Sequence, residues 1–456
     1  MKPLVKFFGI CVLVVLGAMS ILATGGGGGG DGSDVSGAPN HPFGVIAFTT
    51  GWIGVIDPNS QDVVTPLLVS ELGTSGGGLF DVAITPDGLH ALVSNFGDSM
   101  VNIIDTTNPS SPNVAGKVDI GFFAEDIAIV PGGRYALVTD GGFSPFVAVI
   151  DISTRSLVET LDTSPPPDLA GTAAVSHTPV FQTDGLAADE PSPIAGVYHQ
   201  AVAVAPDGQT VLTVDYFQGR VNVLTFDIAT GHLTYVTSLD VSPEYDGNPS
   251  IYPVNVSISP NGRTAIVAGV LGAQDEEYHP LYEYMGFPVF NINGPGDVTA
   301  GGVAPASHHL GGCQSVAFSP DGSQAYAHCT QENLVADYHL SGVVVGPPLV
   351  AAVLNVDTST GAVTDSGIAW PTRPFGTSQL FGVDTIAMAP GGRYLFINNP
   401  TVSGGLSETN ILDVTNGDLT TIPFSDTEVL DWTTPDPDDY LVAITTGIDF
   451  FTGDWY

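Results

Sequence analysis

The sequence predicts an all-β chain: a seven-bladed β-propeller of four-stranded antiparallel blades, closed by pairing of its N- and C-terminal strands. Three observations predict it. A unit of strand, proline, tight turn and second strand recurs seven times along the 456 residues. The smallest spacing between successive units is about 45 residues, the length of a four-stranded blade. The segment before the first unit holds strands but no such hairpin.

The units come in order. Phe80 opens FDVAITPDGLHALVSNFGDSMVNIID, Ala124 opens AEDIAIVPGGRYALVTDGGFSPFVAVID, and His199 opens HQAVAVAPDGQTVLTVDYFQGRVNVLTFD. Further copies open at Pro253, Cys313 and Val383, and a degenerate one opens at Leu430. The key prolines are Pro86, Pro131, Pro206, Pro260, Pro320, Pro390 and Pro437. In most copies an alternating strand ends at the proline. Asp-Gly, Gly-Gly or Asn-Gly then turns the chain and a second apolar strand begins. The fuller copies continue into a third strand ending in Ile-Asp or a similar pair, a Thr-Gly-type turn and a fourth strand. The last copy breaks off after two or three strands, while Phe43–Val69 supplies FGVIAFTT, WIGVID and DVVTPLLV. If both ends share one blade, no sheet edge stays free and the ring has seven blades. Separate end blades would make eight.

Residues 1–24 read as a secretory signal. Lys2 and Lys6 precede an apolar run from Phe7 to Leu22, and small residues stand at Ala18-Met19-Ser20 and Ala23-Thr24-Gly25. An uncleaved anchor is the competing reading. Residues 25–42 form a Gly-rich flexible linker, and 43–456 a single propeller domain. A periplasmic, cell-surface or secreted protein is expected. Lipid anchoring is disfavoured, because Thr24 stands where a lipid-bearing Cys is needed. No span is expected after cleavage.

The formal charge is −39, from 9 Lys+Arg against 48 Asp+Glu, yet the chain is 43% hydrophobic. Such a chain is too apolar to be disordered. It is too acidic for nucleic acid or other polyanions, which demand Lys and Arg. The expected partner is a small neutral ligand or a protein, and the chain is expected to be a monomer.

Proline spacings beyond the minimum mark insertions near 163–198, 271–287, 294–312 and 330–348, with shorter ones at 366–381 and 400–408. All map to the face of the second-to-third-strand turns and the blade crossovers, here called the top face. Long loops gathered on one face of a rigid scaffold suit a binding site. The loop at 275–284 offers Tyr278, His279, Tyr282 and Tyr284 as ligand contacts, since tyrosine joins a flat apolar face to a polar tip. Asp81, Glu125, Asp126, Asp384 and Asp431 begin inner strands five or six residues before a key proline. Converging on the channel they would suit Ca²⁺; alternatively each caps a neighbouring blade. Cys313 and Cys329 face each other across one hairpin and suggest a disulfide. Nearby His308, His309, His328 and His339 leave a transition-metal site as the other reading.

The repeats resemble the YVTN-type repeat family within the lactonase-like seven-bladed propellers. Ala91-Leu-Val-Ser-Asn95 and Ala136-Leu-Val-Thr-Asp140 carry the resemblance over roughly residues 43–450. YHQAVAVAPDG followed by VDYFQGRVNVL is similar to the lactonase-like His-containing strand and Asn-Tyr-x-x-Gly turn, with Asp215 in place of the Asn. The resemblance implies His199 as an acid/base at the channel mouth. Of the six arginines, only Arg373 is placed by the repeat order to approach the top centre as an oxyanion clamp. Two functions stay open: a binding scaffold acting through its top loops, or a lactonase-like or metal-dependent hydrolase at the channel mouth.

Overall fold

The computed structural model describes residues 43–48, 52–56, 63–68, 78–141, 144–164, 201–216, 218–241, 244–245, 248–249, 251–271, 286–306, 310–331, 349–373, 386–399, 406–425 and 445–451. Blade 1 begins with β1 (Phe43–Phe48), β2 (Trp52–Ile56) and β3 (Val63–Leu68). Blade 2 is β4 (Leu79–Ile84), β5 (His90–Asn95), β6 (Met100–Asp105) and β7 (Asn113–Asp119). Blade 3 is β8 (Ala124–Ile129), β9 (Tyr135–Asp140), β10 (Phe146–Asp151) and β11 (Ser156–Asp162). Blade 4 is β12 (Val202–Val204), β13 (Thr210–Asp215), β14 (Arg220–Asp227) and β15 (His232–Asp240). A short pair, β16 (Glu244–Tyr245) and β17 (Asn248–Pro249), follows. Blade 5 is β18 (Ile251–Ile258), β19 (Thr264–Leu271), β20 (Gly286–Gly294) and β21 (Asp297–Pro305). Blade 6 is β22 (Leu310–Phe318), β23 (Gln324–Gln331), β24 (Leu349–Val356) and β25 (Val363–Arg373). Blade 7 is β26 (Ile386–Met388), β27 (Tyr394–Asn399), β28 (Leu406–Asp413) and β29 (Asp418–Ser425).

The chain's last described strand, β30 (Thr445–Phe451), pairs with β1, giving the order β3-β2-β1-β30. Seven four-stranded blades result, and the two chain ends close the ring. The C-terminal share is a single strand, and β30 packs against inner strands β4 and β26. The degenerate hairpin around Pro437 lies outside the described residues. Blades 5 and 6 are joined into one continuous sheet by the pair Val270↔Gly312.

Burial explains why the second and third strands read as unbroken apolar runs. Each is sandwiched between neighbouring blades, so both of its faces are covered: all six residues of β9 are buried, as are five of six in β5. The outer strands meet solvent and turn polar, as in SLVETLD of β11 and DVTAGGVAP of β21.

The hairpin between first and second strands is built by its own side chains. Thr85 Oγ1 donates to Asp87 Oδ1 (2.6 Å), and that oxygen accepts the Leu89 N–H (3.0 Å). Ser259 with Asn261 and Ser319 with Asp321 repeat the pattern. These hairpins also join the blades. A Cβ placed on Gly133, Gly262, Gly322 or Gly392 would stand 3.0–3.4 Å from the Cδ of Pro86, Pro206, Pro260 or Pro320, the key proline of the preceding blade. A Cβ on Gly208 would meet Ile228 Cδ1 of its own blade at 2.9 Å first, with Pro131 Cβ at 3.7 Å.

Two expectations change. Residues 297–305 are not part of an insertion but the outer strand β21, and 366–373 belong to the outer strand β25. The extra spacing there went into strands of eight to eleven residues in blades 5 and 6, against six or seven in blades 2 and 3. The insertions at 165–198, 272–285 and 332–348 lie outside the described residues, as do the signal and linker. Among the described residues no helix is long and apolar enough to cross a membrane.

Cys313 and Cys329 are directly opposite across β22 and β23, and their sulfurs are bonded. Both are buried in the core shared by blades 5 and 6. Closing a loop of this size stabilises a fold by about 3 kcal/mol. Replacing both cysteines with alanine is expected to cost about 2–4 kcal/mol in urea denaturation. Thiol titration of the native protein should find neither sulfur without reductant and denaturant. Gly392 has φ +68°, and an added methyl would meet Pro320 Cδ at 3.0 Å, whereas Gly121, with φ +77°, has nothing within 4 Å. Gly392→Ala should therefore lower Tm more than Gly121→Ala, which costs only the backbone strain of about 1–2 kcal/mol.

Candidate binding face

The top face is described best at the seam of blades 2 and 3. The inner strands β4 and β8 are irregular there, with register shifts between Leu79 and Val82 and between Ala124 and Ile127. The irregularity carries the residue five before the key proline to the seam. The Ile127 N–H of blade 3 donates to Asp81 Oδ2 of blade 2 (2.9 Å). One seam on, the Val202 N–H of blade 4 donates to Asp126 Oδ2 (2.7 Å). At the seam of blades 5 and 6 the Val316 N–H donates to Asn255 Oδ1 (3.2 Å). One sequence offset thus supplies the same blade-to-blade latch three times.

Of the two readings of these acids, Asp81 and Asp126 show the capping of a neighbouring blade. Glu125, one residue earlier in its repeat, is buried and packs with Phe96 around Gly141. Among the described residues no three His, Cys, Asp or Glu side chains converge as a metal ligand set. Asp384 and Asp431 lie outside the described residues.

Asp81 differs electrostatically from an ordinary surface carboxylate. Burial raises its pKa well above the usual range, and the charge of Asp126 and a hydrogen bond to that side chain raise it further; the Ile127 and Val82 N–H groups oppose this. Two carboxyls in hydrogen-bond contact favour holding one proton between them.

Above these acids runs an aromatic ladder that sequence reasoning missed. Phe80 and Phe96 have ring centroids 4.9 Å apart, and Phe96 stacks on Phe123 at 4.6 Å and 14°. Phe123 is 46% exposed. The same arrangement recurs at the seam of blades 4 and 5, where Tyr216 stacks on Tyr252 at 4.9 Å and 18°. Phe96 and Tyr216 each stand ten residues after their key proline, and Phe123 and Tyr252 eight before the next. Aligning the repeats past the third strand would have exposed this pattern.

Of the other expected site residues, only the backbone of Arg373 falls within the described residues. His199, Tyr278, His279, Tyr282 and Tyr284 lie outside the described residues. Arg373 ends β25, backbone-paired with Leu349 in the outermost strand of blade 6, three strands from inner strand β22. The other five arginines are engaged elsewhere. Arg134 and Arg393 pair with Asp151 and Asp413 while lying over Tyr135 and Tyr394. Arg220 pairs with Asp240, and Arg155 and Arg263 donate to the carbonyls of Ala115 and Ser359. His328 is in β23 and buried. Its Nε2 contacts Thr372 Oγ1 (3.0 Å), and Asn410 Nδ2 donates to the Thr372 carbonyl (2.8 Å). Its neighbour Cys329 is in the disulfide, which removes the thiolate from any metal site.

No protein-family profile matches the chain, and no curated protein matches it in sequence. Solved structures do match its fold. A functionally unknown protein of Desulfotomaculum acetoxidans aligns with TM-score 0.58 and 16% identity, covering 83% of this chain and 94% of that one. A periplasmic gluconolactonase of Pseudomonas aeruginosa aligns with TM-score 0.56 and 16% identity over 90% and 99%. A candidate 6-phosphogluconolactonase of Bacteroides fragilis aligns with TM-score 0.56 and 13% identity over 92% and 99%. The class the fold defines is therefore the β-propeller, similar in architecture to these proteins. At these identities the likeness establishes architecture and not activity.

The acid pair yields a signed pH prediction. Asp81's folded pKa is raised, so its contribution to stability is fully present below the unfolded value near 4 and is lost as pH rises through the folded value. Asp81→Asn keeps an acceptor for Ile127 and removes one charge. It should stabilise the protein at pH 7 by on the order of 1 kcal/mol and flatten the rise in stability on acidification from pH 7 to 4. Urea titrations at several pH values would check this. An unchanged pH profile would show that the pair does not share a proton.

Proposed function

We propose that this chain is an extracytoplasmic binding propeller that takes a neutral ligand or a protein partner on its top face. The observation that carries the reading is the aromatic ladder Phe80–Phe96–Phe123, which presents a half-exposed ring at the blade 2–3 seam. Stacked aromatics offer a large, rigid contact area at little entropic cost. The described carboxylates beside it are engaged in holding blades together, and the five arginines whose side chains are described are engaged elsewhere, so neither supplies a catalytic constellation. The buried disulfide and the signal-like leader support an oxidising compartment.

The second reading is a lactonase-like hydrolase centred on His199. It draws support from the fold shared with the periplasmic gluconolactonase and with the candidate 6-phosphogluconolactonase. The scarcity of arginine argues against phosphorylated or acid lactones as substrates.

A panel of neutral sugar lactones and aliphatic lactones separates the two. Binding is measured by calorimetry and turnover by pH-stat. The binding reading expects no turnover above the buffer rate, and for any lactone that binds, about a tenfold loss of affinity in the Phe96→Ala/Phe123→Ala double variant, the scale of one aromatic pair. Turnover that His199→Ala abolishes would overturn it in favour of the hydrolase.

A further inference from the structure

The aromatic ladder at the blade 2–3 seam stands in an acidic setting. The strand ends and turns at the top of these two blades carry Asp81, Asp98, Asp119, Glu125, Asp126 and Asp140. Several are engaged within the chain: Asn95 Nδ2 donates to Asp98 Oδ2 (3.0 Å), and the Gly121 N–H donates to Asp119 Oδ1 (3.0 Å). Hydrogen bonds from neutral donors favour the ionised form, so they keep the charge in place. Even with one proton held between Asp81 and Asp126, the group stays anionic.

The basic residues between 78 and 164 are His90, Lys117, Arg134 and Arg155, and all are placed elsewhere. His90 opens β5 at the bottom hairpin, and Arg134 pairs with Asp151 on the same face. Arg155 donates to the Ala115 carbonyl from a bottom turn. Lys117 lies in the outermost strand β7. Its neighbour Val118 packs in the core shared by blades 2 and 3, so strand alternation turns Lys117 to the other face of blade 2.

The ladder ends in an open ring. Phe96 covers one side of Phe123, with centroids 4.6 Å apart and planes within 14°, so the exposed part of Phe123 is chiefly its other side and its rim. Phe96 in turn shares a niche with a carboxylate: a Cβ on Gly141 would stand 2.9 Å from Phe96 Cε2 and 3.1 Å from Glu125 Oε2. An aromatic face carries the negative side of the ring quadrupole, and the surrounding acids add to that potential, so the surface favours a cation. A planar guanidinium stacks flat on such a face, whereas an ammonium is a point charge. A ring nearly half exposed is a surface rather than an enclosing pocket, which suits a side chain from a partner that brings further contact area of its own. We infer that the top of the blade 2–3 seam docks an arginine of a protein partner, whose guanidinium extends the Phe80–Phe96–Phe123 stack. This rests on the binding reading proposed above and names the chemistry of the partner.

Calorimetry of the full chain at low ionic strength tests it with a short glycine–serine peptide carrying arginines and with its lysine and citrulline counterparts. The arginine peptide should bind about fivefold more tightly than the lysine peptide, the scale of an exposed cation–π contact. The uncharged citrulline peptide should bind more weakly than either. Phe123→Leu keeps every charge and should remove the arginine preference while leaving the lysine affinity in place; Phe123→Tyr should keep the preference. Equal arginine and lysine affinities in the wild type, or a preference that survives in Phe123→Leu, would overturn the inference. Lactone binding lost in the Phe96→Ala/Phe123→Ala variant, with no arginine preference in the wild type, would overturn this inference and leave the binding reading standing. An arginine preference alongside turnover that depends on His199 would do the reverse.

Discussion

The contact on which the rest of the structure depends is the proline–glycine joint between blades. A propeller has no continuous sheet around its ring, so each blade must be held by packing against the next. The Ser/Thr/Val/Ala-Pro-x-Gly turn does two things at once. Its side chains and glycine close the hairpin of its own blade, and its glycine admits the proline of the blade before. Any larger residue at Gly392 would have to displace Pro320. The repeat visible in the sequence is therefore the joint itself, and its spacing counts blades because each blade needs one. Closure of the ring adds a second device. Pairing of β30 with β1 supplies it with main-chain hydrogen bonds.

The fold was legible because its signals are local and periodic. Alternation, turn residues and a constant offset define the first hairpin of every blade from Pro86 to Pro390. The cross-strand position of Cys313 and Cys329 could also be read, since the hairpin length sets which residues face each other. The candidate site was less legible for two physical reasons. Register irregularities in β4, β8, β18 and β22 rotate the inner-strand residues, so neighbours in sequence such as Glu125 and Asp126 do different jobs. Only the residue five before the proline becomes a latch. The aromatic ladder, by contrast, joins residues from different repeats, and periodicity within one blade says nothing of it. Residues 297–305 were misplaced because spacing measures how many residues a blade has, not whether they lengthen a loop or a strand.

Among the described acids two groups differ in their chemistry. On the bottom face, carboxylates at the third-to-fourth-strand turns accept hydrogen bonds from hydroxyls and N–H groups that follow them. Asp357 is lowered to about 2 chiefly by Ser359, and Asp413 to about 2 chiefly by Arg393. Their stabilising bonds are present above the ordinary carboxylate range and are lost only as pH falls through about 2. At the channel end of the top face, Asp81 is raised instead, by burial and by Asp126. Acidification from neutral pH therefore relieves the top seam long before it touches the bottom turns. Each of these three residues is held by groups of this chain: Asp81 by the Ile127 N–H, Asp357 by Ser359 and Asp413 by Arg393 and Thr415.

This division of labour bears on how the top face can serve binding. The bottom face carries the proline–glycine joints, whereas on the top face the residue five before the key proline differs from blade to blade: Asp, Asp, Ala, Asn and Ser in ring order from blade 2. Side-chain latches hold the blade 2–3–4 arc, where the aromatic ladder stands on a latched base, while blades 6 and 7 are tied by Asn410 and the Thr372 carbonyl instead. An aromatic platform needs such a base, because stacking energy is realised only if the rings do not have to be ordered on contact.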